Sequence, residues 1–178
     1  MQFDMFHIYT VDEHTFKVVR NMRQMQIGKV DEALKIEHEL INKLPKIELL
    51  YLAGIFHDLG KGKGGNHSEI GKKMVNQFCR RLNFSIHDTE LLCWLVKNHL
   101  FMSSISQKTD VHDPETIDNF IKKVDSTEKL NYLYMLTIND IRGTNPNLWN
   151  SWKHDLLKQL FMSSRKKLNL EERQSNHS

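Results

Sequence analysis

LLYLAGIFHDLGKGKGG, residues 49–65, is the stretch that decides the fold of this 178-residue chain. Residues 49–56 are apolar on nearly every side, so a helix that they form has to lie inside the protein. Because the run ends in His57 and Asp58, both become interior residues. An imidazole and a carboxylate are costly to bury without a partner, and a metal cation is a partner that suits both.

The glycines that end this stretch predict a loop that turns sharply and brings its backbone close to a ligand. Lys61 lies among them, and its ammonium group suits a phosphate oxygen as a mobile point charge. A solvated loop lysine is an equally good interpretation. The glycines are Gly60, Gly62, Gly64 and Gly65.

Length and composition favour one domain. At 21.1 kDa the chain is long enough for one ordinary core and short for two. Its 39% apolar and 26% charged residues exclude disordered and membrane proteins, and no apolar stretch approaches the roughly 20 residues of a spanning helix. No basic segment followed by an apolar one opens the chain, and Cys79 and Cys93 lie in helical patterns. We therefore expect a cytoplasmic protein.

The basic residues do not indicate nucleic-acid binding. The formal charge of +3 and the pI near 8.8 are mild, and the Lys and Arg pairs are scattered along the chain. A nucleic-acid footprint would cluster them on one surface, so solvated helix faces explain them better. We predict neither a nucleic-acid nor a membrane partner.

Hydrophobic periodicity predicts an all-α fold, a bundle of about seven helices. Only three prolines and eight glycines interrupt the chain. The first helix is expected to begin at Asp12 as its N-cap, with His14 on its apolar face, and residues 103–113 are expected to be a polar interval. Residues 1–168 form the predicted domain, and the polar tail at 169–178 is expected to be disordered. Further helices are predicted to begin near Asp31, Asn66, Ser85, Asp113 and Asp125 or Ser126, with a turn at residues 143–147 before the last helix.

Candidate metal ligands arise on five of these helices. Any single inward histidine is more often a hydrogen-bonded core residue than a ligand, so the prediction depends on the set. Helices that converge on one point are how metal sites in bundles are assembled, whereas a structural zinc site would use closely paired thiolates. The candidates are His14, His57, Asp58, His67, His99 and Asp140.

Mixed imidazole and carboxylate ligands suit Mn, Fe or Zn better than an all-oxygen Mg or Ca site. Six ligand side chains exceed what one catalytic ion needs, so two ions are predicted, with Asp58 bridging them through its two oxygens. Such a pair lowers the pKa of a bound water and neutralises charge on a phosphoryl group during in-line displacement. The residues therefore indicate a metal-dependent phosphohydrolase.

The order of His14, His57–Asp58 and Asp140 resembles the H…HD…D signature of the HD metal-dependent phosphohydrolase superfamily. His67 and His99 resemble the added ligands of its two-metal members. Longer stretches resemble the central domain of the bacterial bifunctional uridylyltransferase/uridylyl-removing enzymes, and the similarity extends to about residue 168. These stretches are DMFHIYTVDEHT (4–15), LLYLAGIFHDLGKGKGGNHSEIG (49–71), WLVKNHLFMS (94–103) and LTINDIRGTNPNLWNSW (136–152), of which the last is the most specific.

The resemblance implies an HD-domain helical bundle that hydrolyses the UMP–tyrosine phosphodiester of the uridylylated nitrogen-regulatory PII protein. It implies Mg or Mn as the ion and PII as the partner. We assign catalytic roles to His57, Asp58 and Lys61, and substrate contacts to Lys61, His67 and His99. By position, the implied core ligands are His14, His57, Asp58 and Asp140, with His67 and His99 completing a second site.

The sequence departs from that family in extent and leaves alternatives open. It has no glycine–serine and paired-aspartate nucleotidyltransferase motif and no room for C-terminal ACT domains. We therefore expect an isolated or truncated domain without uridylyl transfer or glutamine regulation. An HD-type nucleotidase or cyclic-nucleotide phosphodiesterase would share the metal centre. A catalytically weak module that only binds PII or a nucleotide is the alternative from another class.

Overall fold

The computed structural model describes the backbone of residues 2–59, 67–144 and 147–178. Side chains are described for residues 13–59, 69–144 and 147–178. Within these ranges there are nine α-helices, a 3-10 turn at Glu32–Leu34 and no strand, which confirms the all-α prediction with more helices than expected. The helices are α1 (Gln2–Ile27), α2 (Lys35–Ile41), α3 (Ile47–Phe56), α4 (His67–Arg81), α5 (Ile86–Lys97), α6 (Phe101–Lys108), α7 (Pro114–Val124), α8 (Thr127–Thr144) and α9 (Ser151–His177).

Helix α3 lies in the middle of the bundle, as its apolar sequence predicts. It packs against α1, α5 and α8, and both Leu50 and Ala53 are fully buried. His57 and Asp58 follow directly and are each only 4% exposed. Although α3 is almost wholly apolar, no helix in the described part of the chain is long and apolar enough to cross a bilayer.

Helix α8 is the second helix that lies largely in the interior. It packs against α1, α3, α5, α6 and α9, and residues 132–139 are all buried. Two polar side chains in this run bond to carbonyls four residues earlier: the Thr137 hydroxyl donates to Leu133 (2.7 Å) and the Asn139 amide donates to Met135 (2.8 Å). These two donors are therefore satisfied within the helix, whereas the buried Asn139 Oδ1 has no hydrogen-bond partner among the described residues. The residue after this run is Asp140, which α8 places at the centre of the bundle.

Several predicted helix starts are confirmed by their caps. In each case a short polar side chain accepts a hydrogen bond from a backbone N–H two or three residues further on. These caps are Ser85 to Asp88 (3.1 Å) before α5, Asp113 to Glu115 (2.9 Å) before α7 and Ser126 to Lys129 (3.1 Å) before α8. Asp31 accepts from Ala33 in the same way (3.0 Å), but it caps the 3-10 turn, and α2 begins after that turn at Lys35.

Two segments are helical where the sequence predicted otherwise. Helix α1 begins at Gln2, so Asp12 lies inside it and is not its N-cap. Residues 2–27 contain no proline or glycine, and a nucleated helix propagates through such a segment. Helix α6 occupies most of the expected polar interval. Ser103 donates a hydrogen bond to the carbonyl of Leu100, the N-cap of α6, and Ser106 donates to the carbonyl of Ser103. The fully buried Met102 packs α6 into the core.

Two helix ends also differ from the prediction. Helix α8 runs to Thr144, so Gly143 is helical rather than part of a turn. Residues 169–177 continue α9 as helix instead of forming a disordered tail. The Glu172 carboxylate accepts hydrogen bonds from the backbone N–H (2.9 Å) and hydroxyl (3.0 Å) of Thr127, which ties this segment to the start of α8. The domain boundary at residue 168 stays a prediction.

A buried polar cluster, here called the Glu37 cluster, joins α2, α8 and α9 and consists of Glu37, Tyr134 and His154. Glu37 is fully buried, and its Oε1 atom accepts hydrogen bonds from Tyr134 Oη (2.7 Å) and His154 Nε2 (2.6 Å). Burial acts to raise the pKa of Glu37, but these hydrogen bonds lower it overall. Tyr134 also stacks on Phe161 with ring centroids 4.1 Å apart.

Candidate metal centre

Five of the predicted ligands meet in the interior between α1, α3, α5 and α8. His14 lies on α1 and Asp140 on α8, while His57 and Asp58 follow α3 and His99 follows α5. Their side chains range from 0% exposed for His57 to 18% for His14. The sequence therefore predicted correctly that these five residues converge.

The closest contacts join His14, His57 and Asp140. His14 Nε2 lies 2.8 Å from Asp140 Oδ1 and 3.3 Å from His57 Nε2. His57 Nε2 lies 3.2 Å from the same Asp140 oxygen. One ligand atom from each residue lies within 4.8 Å of the other two, so this trio can hold a metal ion.

The Asp58 carboxylate extends the cluster in two directions. Its Oδ2 atom lies 3.2 Å from His57 Nε2 and 3.5 Å from His14 Nε2. Its Oδ1 atom lies 3.7 Å from His99 Nε2. The two oxygens thus face different imidazoles, which is the arrangement that a carboxylate needs if it is to bridge two ions.

A backbone carbonyl orients each imidazole through Nδ1. Because a carbonyl only accepts, Nδ1 donates, and a neutral ring is left with a lone pair on Nε2 directed into the cluster. Sequence analysis missed these carbonyls, although a glycine inside the apolar run of residues 49–56, Gly54, was a signal for one of them. The contacts are His14 Nδ1 to the Gly143 oxygen (3.1 Å), His57 Nδ1 to the Gly54 oxygen (2.7 Å) and His99 Nδ1 to the Val96 oxygen (2.7 Å).

This donor set fits a cation. Nε2 lone pairs that face carboxylate oxygens repel them unless a proton or a metal ion lies between. A proton can take that place: the hydrogen bond to Asp140 raises the pKa of His14. Burial opposes the charged form of His57, yet bonds to Asp140 and Asp58 raise its pKa to about 10. A divalent cation satisfies the same atoms, and its ligand chemistry matches Mn, Fe or Zn.

The pKa shifts of Asp140 and His99 also agree with a donor set that fits a cation. Burial acts to raise the pKa of Asp140, but hydrogen bonds from His14 and His57 lower it, so the carboxylate is charged. Burial lowers the pKa of His99, which keeps that imidazole neutral and able to act as a ligand.

Two predicted site residues cannot be placed in this geometry. Lys61 lies outside the described residues, and only the backbone of His67 is described, as the first residue of α4. The catalytic role of Lys61, the substrate contacts of both residues and the place of His67 at a second ion stay predictions.

Comparison with known proteins places these residues in a family. The sequence pattern of the HD domain matches residues 11–130. The chain is 51% identical over 168 residues to the bifunctional uridylyltransferase/uridylyl-removing enzyme of Xanthomonas campestris pv. campestris (strain B100), which covers 94% of this chain and 19% of the relative. Enzymes of the same name from Azotobacter vinelandii (strain DJ / ATCC BAA-1303) and Pseudomonas fluorescens (strain SBW25) are 48% and 47% identical, over 93% and 94% of this chain and 18% and 19% of the relatives.

The chain therefore spans about a fifth of the length of the curated relatives it matches. The matched HD region contains His14, His57, Asp58 and His99, and the longer alignments extend over Asp140. The resemblance stated from the sequence is confirmed, and the chain belongs to the HD domain family of metal-dependent hydrolases.

Proposed function

We propose that this chain is a phosphodiesterase that hydrolyses the bond between UMP and a tyrosine of the uridylylated PII protein. The observation that carries the proposal is the convergence of His14, His57 and Asp140 in a chain about half identical to uridylyl-removing enzymes. PII as the partner and a cytoplasmic location come from the sequence resemblance and composition and are part of this proposal.

The proposed ions are held by His14, His57, Asp58 and Asp140, with His99 on the Oδ1 side of Asp58. His67 is proposed to complete that second site. When bound, the ions supply Lewis acidity that activates water and neutralises charge on the phosphoryl group.

The protein residues orient the ligands and exclude water. The carbonyls of Gly54 and Gly143 hold His57 and His14 with Nε2 directed into the cluster. The His57 side chain is fully buried, so charges in the cluster interact more strongly there than in water. His14 and Asp140 are the more exposed ligands, at 18% and 13%. We therefore expect the phosphodiester to approach from the side of α1 and α8.

The activity is tested with purified, Mn-loaded protein and uridylylated PII as substrate. We expect release of UMP, with bis-p-nitrophenyl phosphate as a generic phosphodiester control. If the protein hydrolyses neither of the two compounds, the proposal that it is an enzyme is wrong. Preference for nucleotides or cyclic nucleotides over uridylylated PII would support the nucleotidase or cyclic-nucleotide alternative. Binding of PII without turnover, unchanged in Asp58→Ala, would support the binding-module alternative.

Metal binding is expected to raise the melting temperature. An ion that binds only the folded state, at 100 times its Kd, adds about 2.7 kcal/mol, or roughly 5–11 °C for a domain of this size. The measurement is a thermal melt of chelator-treated protein with and without Mn²⁺ or Zn²⁺, reversed by added EDTA. No shift with either ion would contradict a metal centre at this cluster.

A further inference from the structure

We infer that Gly143 is a positioning residue of the metal centre, because its missing side chain lets α1 approach α8 closely enough for the Gly143 carbonyl to orient His14. The inference rests on the proposed metal site. It assigns a role to a residue that does not itself hold the ion or touch the reacting atoms.

Helix α8 holds the His14 imidazole at both nitrogens. The Gly143 carbonyl oxygen lies 3.1 Å from Nδ1, and Asp140 Oδ1 lies 2.8 Å from Nε2. The two α8 residues are three positions apart and therefore lie on the same face of the helix, one turn from each other. The direction of the Nε2 lone pair is thus set by how closely α1 lies against this one turn of α8.

The approach of α1 to α8 leaves no space for a side chain at position 143. A Cβ atom added to Gly143 would lie 2.9 Å from Val18 Cγ2, 3.3 Å from the Val18 backbone nitrogen and 3.5 Å from the Val18 Cα. Two of these atoms are backbone and cannot move aside like the end of a flexible chain. Gly143 is helical, where alanine is the better residue by intrinsic propensity, so close packing is the reason that glycine fits here.

Val18 connects this packing to the ligand. It lies four residues after His14 and therefore one turn along the same face of α1. Any separation of α1 from α8 at Val18 also draws His14 away from the Gly143 carbonyl and from Asp140. Alanine at position 143 should therefore disturb one ligand of the cluster without changing any ligand chemically.

Gly71 offers a matched control. It is also buried and helical, in α4, and the carbonyls that orient the imidazoles belong to other residues. A Cβ atom there would meet one side-chain methyl group, Val96 Cγ1, at 3.1 Å, and the Phe56 oxygen lies at 3.9 Å, an ordinary contact distance. These contacts do not involve α1 or α8, so Gly71→Ala should leave the approach of α1 to α8 unchanged.

The test measures Zn²⁺ affinity by competition with a chelator in the unmodified chain and in the two alanine variants. We expect Gly143→Ala to bind Zn²⁺ about 10–100-fold more weakly, the usual effect of losing a group that orients a ligand. The Zn²⁺ affinity of Gly71→Ala should stay close to that of the unmodified chain. Unchanged Zn²⁺ affinity in a folded Gly143→Ala variant, or an equal loss in Gly71→Ala, would overturn the inference.

Two further measurements keep the inference testable if Gly143→Ala does not fold. NMR of the Zn²⁺-loaded, unmodified chain should show a slowly exchanging proton on Nδ1 of His14, and a rapidly exchanging proton would overturn the inference. Val18→Ala combined with Gly143→Ala removes the methyl group at 2.9 Å but keeps the contacts with the Val18 backbone, so it should fold and bind Zn²⁺ more weakly than Val18→Ala alone. Equal Zn²⁺ affinity in these two variants would overturn the inference. If the unmodified chain binds no Zn²⁺ at all, the proposed function itself fails.

Discussion

Asp140→Asn is expected to abolish both metal binding and phosphodiester hydrolysis while the helices stay intact. Asp140 Oδ1 is the atom that both His14 Nε2 and His57 Nε2 face, at 2.8 and 3.2 Å. Asparagine keeps the shape of the side chain but removes the negative charge that the cation requires. Because a ligand is lost directly, we expect the affinity to fall by more than the 10–100-fold that loss of an outer-shell partner causes.

The measurements are metal content by elemental analysis, UMP release and far-UV circular dichroism. Asp125→Asn is a suitable control because it makes the same chemical change on an exposed side chain outside the cluster. Asp125 has φ of 61°, a conformation that asparagine tolerates. Equal metal content in Asp140→Asn and the unmodified chain would contradict the assignment of this ligand.

Glu37→Ala is expected to cause the largest loss of stability, about 3–5 kcal/mol in the free energy of unfolding. The change leaves His154 and Tyr134, which now donate to one carboxylate oxygen, without that acceptor in the interior. A domain of this kind is stable by only about 5–15 kcal/mol, so the loss is a large fraction of the total. Urea unfolding measures it.

Glu37→Gln is the matched variant, since it keeps an acceptor oxygen and should lose less stability. The pKa of Glu37 is lowered on folding, so its charge contributes stability above the ordinary value of 4.5, and this contribution is lost as the pH falls through the folded pKa. The difference between the unmodified chain and Glu37→Gln should therefore narrow in acid. A constant difference between pH 7 and acid conditions, or a change below about 1 kcal/mol in Glu37→Ala, would contradict this role.

Patterns within short stretches of sequence correctly predicted the features that depend on neighbouring residues alone. An apolar run without a polar face specified that α3 is interior, and short polar residues before each run specified the caps of α5 and α7. The cluster of candidate metal ligands was predicted because each candidate belonged to a segment with its own apolar face. These features need no knowledge of which helices are neighbours.

The features that were missed depend on contacts between distant segments. Glu37 and His154 are 117 positions apart, and neither has a local pattern that points to the other. Gly143 begins a stretch rich in turn-forming residues, which predicted a turn, but its packing against Val18 keeps it in α8. The serines of α6 suggested a polar loop because their hydrogen bonds to their own helix are not visible in composition.

Because Asp140 and Gly143 of α8 contact the two ring nitrogens of His14, the number of residues between them cannot change freely. One residue inserted between positions 140 and 143 would rotate the carbonyl by about 100° relative to the carboxylate and shift it by about 1.5 Å along the axis. The imidazole would then keep one partner and lose the other. Insertions and deletions should be rejected within this single helical turn and accepted more readily in the connection between α8 and α9.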